Sequence, residues 1–123
     1  MAGLFTFAGA PLPPSTYAFN EGGSGGALDL DDYFVPGDLG NPDRTTWAAR
    51  TRAYLDRPEN RDVNVVIWSW CGQVSSATAA DISTYLSLMS GLERDYPSVT
   101  FVYMTGHLDG TGTGGNLHLR NEQ

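Results

Sequence analysis

The pattern of apolar and polar positions predicts two buried strands in the second half of the chain. Residues 63–70, VNVVIWSW, form an apolar, β-branched run that is typical of a strand in a parallel sheet. Residues 98–106, SVTFVYMTG, form a second run of this kind. Because a helical pattern separates the two runs, the sequence predicts a βαβ unit with parallel strands and a right-handed crossover.

The helical pattern between the two strands has clear ends. Thr78 and Asp81 have the spacing of an N-terminal capping box, and Pro97 is expected to stop the helix. Apolar residues recur between these ends at helical spacing, which predicts one face turned toward the core. The expected apolar stripe consists of Ile82, Leu86, Met89 and Leu92.

Two other segments have helical spacing as well. Residues 45–58, TTWAARTRAYLDRP, predict a helix with Thr45 or Thr46 as its cap. The last residues, NLHLRNEQ, predict the first turns of another helix. Trp68 and Trp70 alternate with Ser69 along the first strand, so we expect both indoles to pack in the core or against a helix.

Residues 1–43 differ in composition from the rest of the chain. Their many glycines and prolines predict an irregular segment with turns, whereas residues 44–123 form the predicted α/β core of the same domain. Two strands alone do not make a stable sheet, so further strands are expected from residues 1–43 or from a second chain. The expected fold class is therefore α/β, with a short parallel sheet and flanking helices.

The charge of the chain limits its partners. The formal net charge is −7, and all seven basic side chains are arginine. An acidic chain is repelled by phosphate backbones, so no nucleic-acid partner is expected. The sequence has no basic amphipathic stretch and no apolar run of spanning length, so no membrane partner is expected either. The start of the chain lacks the cationic residues of a signal peptide, and the single cysteine leaves the compartment open.

The most promising polar residues follow the two predicted strands. Parallel strands end at one edge of a sheet, where α/β proteins bind ligands. SWCGQ (69–73) and TGHLDG (105–110) would meet at this edge, where Cys71, His107 and Asp109 could act as nucleophile, base and orienting acid. The alternatives are structural: Cys71 as a small buried hydrophobe, His107 as a hydrogen-bonding loop residue, and Asp109 as a turn residue before glycine.

A metal or nucleotide site is poorly supported by the sequence. Zinc could draw on side chains that include His118, but the chain has no short ligand pair such as Cys-x-x-Cys. The glycine-rich loop DGTGTGGN has fewer carboxylates than a calcium loop needs, and it lacks the ending of a phosphate-binding loop. We therefore expect no metal and no cofactor.

Residues 45–123 resemble the middle of the SGNH/GDSL hydrolase fold, and in particular a branch of secreted bacterial and archaeal proteins. The segments that carry the resemblance are VNVVIWSWCGQVSS, ISTYLSLMSGLERDYPSVTFVYMTGHLDGTG and NLHLRNEQ. The resemblance implies a flavodoxin-like sheet and hydrolysis of esters, including carbohydrate acetyl esters. SWCGQ stands where the family has a Gly-x-Asn-Asp block, so Gly72 and Gln73 are the implied oxyanion donors.

Other parts of the family pattern differ in this chain. The family's nucleophilic serine lies in an earlier block, for which Ser24 within GGSGG is the candidate, and its late Asp-x-x-His block has no counterpart. The sequence therefore looks like the central part of a hydrolase domain, truncated at both ends, and we expect it to form a homo-oligomer by strand exchange. The expected function is acyl transfer from a small-molecule or carbohydrate ester. The alternative is a catalytically inactive SGNH-like module that binds ligands or self-assembles.

Overall fold

A computed structural model describes residues 19–20, 22–30, 36–37, 39–70, 72–107 and 110–123. The chain divides into two compact units, Met1–Pro36 and Gly37–Gln123. The first unit contains strands β1 (Phe19–Asn20) and β2 (Leu28–Asp29), which pair in parallel. Ser24–Gly26 form a short 3-10 turn between them.

The second unit contains the predicted α/β core. Its 3-10 turns are Pro58–Asn60 and Gly72–Ser76. Its helices and strands, in chain order, are α1 (Thr46–Leu55), β3 (Val65–Trp68), α2 (Ala79–Asp95), β4 (Thr100–Tyr103) and α3 (Asn116–Asn121). Strands β3 and β4 pair in parallel, with Val65 opposite Thr100 and Trp68 opposite Tyr103. The predicted α/β class and the parallel strands joined by a helix are therefore confirmed.

Both long helices begin at short polar side chains. The Thr78 hydroxyl accepts a hydrogen bond from the Asp81 N–H at 3.1 Å, and the Asp81 carboxylate accepts one from the Thr78 N–H at 2.8 Å, which confirms the predicted capping box. Thr45, one of the two predicted candidates, is the N-cap residue of α1, but its side chain makes no capping hydrogen bond to the helix. The acceptor at this helix start is the Asp43 carboxylate. It accepts from the Thr45 N–H and hydroxyl, both at 2.7 Å.

Aromatic rings form the centre of the core. Trp47 of α1 is fully buried, and its ring centroid lies 4.6 Å from that of Trp68 and 5.1 Å from that of Tyr85 on α2. Trp70 is also buried and lies 5.3 Å from Tyr85. Such pairs contribute about 0.5–1.5 kcal/mol each beyond the burial of their area. The prediction that Trp68 and Trp70 pack in the core is confirmed.

The apolar stripe of α2 differs from the prediction at one position. Leu86 is 38% exposed, whereas Tyr85 is only 7% exposed and occupies the expected place of Leu86 in the core. The reason is the aromatic cluster: the Tyr85 ring packs on the tryptophans while its hydroxyl donates to the Trp68 carbonyl at 3.3 Å. Tyrosine can fill a core position when its polar end finds an acceptor.

The prediction that β3 is a buried strand is wrong for one of its two faces. Val65 and Ile67 are 49% and 60% exposed, while Val66 and Trp68 pack against the core. Because side chains alternate across a strand, α1 and α2 cover only the face that carries Trp68. Within the described residues the sheet of the second unit contains β3 and β4 alone, so residues 1–43 add no described strand to it.

None of the helices that the structure describes is both long and apolar enough to cross a membrane.

Candidate functional site

Two loops leave the carboxyl ends of β3 and β4 side by side. We call residues 69–77 the first site loop, of which Cys71 is not described, and residues 104–107 the second site loop. The Ser69 hydroxyl lies 3.0 Å from the Trp70 carbonyl oxygen and 3.2 Å from that of Thr105. This hydroxyl therefore links the two loops directly after the strands end, at the edge where parallel sheets bind ligands.

The two loops also approach each other closely where Val74 meets Gly106. Val74 is buried, and a Cβ built on Gly106 would lie 2.9 Å from the Val74 Cγ2 and 3.1 Å from the Leu117 Cδ1. Only glycine allows this approach without displacing its neighbours. Gln73 precedes Val74 and His107 follows Gly106, so both candidate residues stand beside this contact.

Helix α3 binds the first site loop through Asn116. Its Nδ2 donates to the Ala77 carbonyl at 2.9 Å and to the Ser75 carbonyl at 3.0 Å, and it lies 3.5 Å from that of Val74. These carbonyls belong to the end of the 3-10 turn, where backbone acceptors need partners from outside the turn. The Asn116 side chain therefore provides the hydrogen-bond donor for backbone carbonyls in the carboxyl-terminal half of the first site loop.

The same helix binds the second site loop through Asn121. The Asn121 Oδ1 accepts a hydrogen bond from the Gly106 N–H at 2.9 Å, and its Nδ2 donates to the Gly106 carbonyl at 3.3 Å. A primary amide has the donor and the acceptor that this pair requires. Both loops are thus attached to one short helix.

Arg44 connects the first site loop to the segment before α1. Its guanidinium donates to the Gly40 carbonyl at 2.7 Å and to the Ser76 hydroxyl at 3.3 Å, and its Cζ lies 5.3 Å from the centroid of the Trp70 ring. It also lies 4.0 Å from the Asp81 carboxylate. Hydrogen bonds from Thr78, with a smaller contribution from the charge of Arg44, hold the pKa of Asp81 below its ordinary value.

An open cavity of about 400 Å³ lies beside the first site loop. It is lined by Gly37, Leu39, Gly40, Trp68, Ser69, Trp70 and Gln73. Trp70 is only 4% exposed, and its indole N–H finds no acceptor among the described residues. Its volume lies within the range of small-molecule pockets, and its lining combines apolar walls with a few polar groups.

The structure brings three of the predicted site residues to this edge. Gly72 is exposed at the start of the 3-10 turn, and no atom lies within 4 Å of a Cβ built on it. Gln73 is half-buried and lines the cavity, and His107 is exposed on the second site loop. The edge therefore offers a backbone N–H, an amide and an imidazole on adjacent segments.

The other three predicted residues belong to the first unit or to parts of the chain that the structure does not describe. Ser24 is exposed on the 3-10 turn of the first unit, between Gly23 and Gly25, which both have positive φ. Cys71 and Asp109 lie outside the residues that the structure describes.

Sequence reasoning missed the residues that hold the loops. Asn116 and Asn121 are the first and last residues of α3, where asparagine is common, so their residue type gave no signal of a special role. Arg44 had no signal at all, since its partners lie in segments far apart in the sequence.

In the described parts of the chain, no three histidine, cysteine, aspartate or glutamate side chains lie close enough together to hold a metal ion. Comparisons of the chain with protein-family models, curated proteins and solved structures give no match.

Proposed function

We propose that this protein is an SGNH-like hydrolase that cleaves an ester of a small molecule or an acetylated carbohydrate by acyl transfer. The observation that supports the proposal is the contact between Val74 and Gly106, which places Gln73 and His107 on adjacent loops. These loops lie at the carboxyl edge of a parallel β pair, the usual location of sites in α/β proteins. A flavodoxin-like sheet of the SGNH type is the finer form of the fold that this function implies.

In the proposed reaction His107 is the general base. It takes the proton of the nucleophile as that group attacks the ester carbonyl, and Asp109 orients the imidazole. The nucleophile is Ser24 according to the family resemblance, or Cys71 according to its place directly before Gly72.

The oxyanion that forms on the carbonyl oxygen accepts hydrogen bonds from the Gly72 N–H and the Gln73 side-chain amide. The imidazolium then gives its proton to the departing alcohol oxygen as the carbon–oxygen bond breaks. Water, deprotonated by the same imidazole, attacks the acyl-enzyme, releases the acid and restores the nucleophile.

Hydrolysis of p-nitrophenyl acetate tests the proposal. We expect His107→Ala to lower kcat by about 100- to 10,000-fold, which is the usual contribution of a general base. His118→Ala is the matched control, because it removes the other histidine, which lies on α3. A wild-type rate equal to that of buffer, or equal losses in both variants, would reject the proposal.

The two candidate nucleophiles are separated by their acyl-enzymes. After rapid quenching, peptide mass spectrometry should find the acetyl group on the peptide of one candidate, and only Ser24→Ala or Cys71→Ala should abolish both adduct and turnover. If full activity remains in both variants, the assignment of the nucleophile is wrong although the protein is an esterase.

A second candidate function is ligand binding without turnover, and the cavity favours it. Two tryptophans and two polar side chains line a volume that suits a monosaccharide-sized ligand. Titration of the protein with xylose, glucose and N-acetylglucosamine should then change the tryptophan fluorescence to saturation. Gln73→Ala should weaken this response and Ser75→Ala, on the same turn, should not. No saturable change with any of the three sugars would contradict this candidate for neutral sugars.

A further inference from the structure

We infer that helix α3 is the element that sets the spacing between the two site loops, with Asn116 and Asn121 as positioning residues. The expected effect of α3 on catalysis rests on the proposed function. Its expected effect on the backbone of the two loops rests only on the observed contacts. Neither asparagine is assigned a chemical step.

Asn121 fixes the backbone directly before His107. Its amide binds both the N–H and the carbonyl of Gly106, so the peptide groups on the two sides of this residue are held at once. The carbonyl of Gly106 belongs to the peptide bond that leads into His107. The direction in which the imidazole leaves the backbone therefore depends on the Asn121 amide.

Asn116 fixes the turn that begins with Gly72 and Gln73. Its Nδ2 donates to the Ser75 and Ala77 carbonyls at the end of this turn. Without these bonds the carbonyls would be left to water and the turn could open. The proposed oxyanion donors would then lose their place relative to the second site loop.

Leu117 joins the two attachments. It is buried, and it approaches Gly106 on the side where Val74 also packs. A helix of six residues is not stable by itself in water, so α3 exists because of these contacts and transmits a displacement of one loop to the other. Asn116 is the first and Asn121 the last residue of this helix, so the two attachments lie at its two ends.

Two substitutions test the role of α3 with different effects on the helix. Asn121→Leu removes both bonds to Gly106 with a side chain of similar size. Asn116→Asp removes the donor from the first site loop, while aspartate in the first turn favours the helix through its dipole. Each variant should lower kcat for p-nitrophenyl acetate by up to about 100-fold with little change in KM, the effect expected when a reacting group is displaced by about 1 Å.

Leu119→Ala is the matched control, since the apolar Leu119 side chain is 47% exposed on the same helix. It should leave kcat unchanged. Asn121→Asp provides a graded comparison: it keeps an acceptor for the Gly106 N–H but loses the donor to the Gly106 carbonyl, so its kcat should lie between those of wild type and Asn121→Leu.

A readout that does not depend on catalysis separates this inference from the proposed function. By NMR, amide exchange at Gly106, His107 and residues 72–77 should accelerate in both test variants, and the His107 ring signals should shift, while amides in α2 stay protected. If wild type fails to hydrolyse the ester but these changes occur, the proposed function is rejected and the role of α3 stands. If the exchange and ring signals stay as in wild type, or if α2 loses protection equally, the role of α3 is rejected.

Discussion

Gly106 shows how one position without a side chain allows the site to form. The nearest atoms to a Cβ at this position belong to the buried side chains of Val74 and Leu117. Both are parts of the core, so neither can move aside at low cost. Gly72, which was singled out from the sequence, has open space around it instead.

We predict that Gly106→Ala lowers the free energy of unfolding by about 1–3 kcal/mol, because the methyl group overpacks the contact between the loops. Gly72→Ala is the control and should change it by less than about 0.5 kcal/mol. Urea unfolding followed by tryptophan fluorescence measures both. Equal stabilities for the two variants would show that the loops are further apart than described.

Among the helices and strands, α2 has the start that the sequence marks most clearly. Thr78 and Asp81 exchange backbone and side-chain hydrogen bonds across the first turn. The first site loop ends immediately before this cap, so the cap also fixes where the loop must stop. The cap therefore links a local sequence signal to the geometry of the site.

Thr78→Ala should lower the free energy of unfolding by about 1 kcal/mol, the usual value of an N-cap side chain. Thermal unfolding by circular dichroism measures the change, and Thr84→Ala, at an exposed position of the same helix, is the control. If both substitutions have the same effect, the bonds of the capping box contribute nothing beyond helix propensity.

The caps of α1 and α2 also predict how stability depends on pH. Hydrogen bonds from Thr45 and Thr78 lower the pKa values of Asp43 and Asp81, respectively, below the ordinary value of an aspartate in the folded protein. A carboxylate with a lowered folded pKa stabilises the fold above its unfolded pKa, and this contribution is lost as pH falls through the folded pKa.

Stability should therefore decrease as the pH falls from about 5 through the unfolded carboxyl pKa of about 4 and below. Asp81→Asn should show a smaller decrease over this range, while Asp62→Asn, whose carboxyl lies in an exposed turn, should behave as wild type. Melting temperatures at pH 2 to 7 provide the comparison. A parallel loss in all three proteins would contradict the role of the Asp81 cap.

At the scale of the whole molecule, the outer face of β3 is the main departure from a closed core. Val65 and Ile67 are about half exposed or more, on the face opposite the aromatic cluster. Exposed apolar side chains on a sheet of two strands favour association with another surface. The homo-oligomer expected from the sequence stays a prediction.

We predict a dimer or larger assembly by light scattering at micromolar concentration, and a shift toward monomer for Ile67→Thr, which keeps a β-branched side chain while adding a hydroxyl. Leu119→Thr is the control, because Leu119 is similarly exposed but lies on α3. A wild-type protein that is monomeric throughout this range would contradict the prediction.

Local patterns in the sequence determined the elements of the second unit. The Thr78–Asp81 cap, the helical spacing after Thr45 and the β-branched runs specify helices and strands because the physics of caps, periodicity and side-chain branching acts within a few residues. The same patterns placed Gln73 and His107 after neighbouring strands, so this much of the candidate site could be predicted.

The tertiary structure decided which faces are buried and what holds the site together. Tyr85 displaced Leu86 from the core because its hydroxyl could reach a carbonyl of β3, and Val65 faces outward because no described element covers it. Asn116 binds a loop that lies 39 to 42 positions before it in the chain, and Asn121 binds one that lies 15 positions before it. Their role depends on contacts between distant segments, which no local pattern encodes.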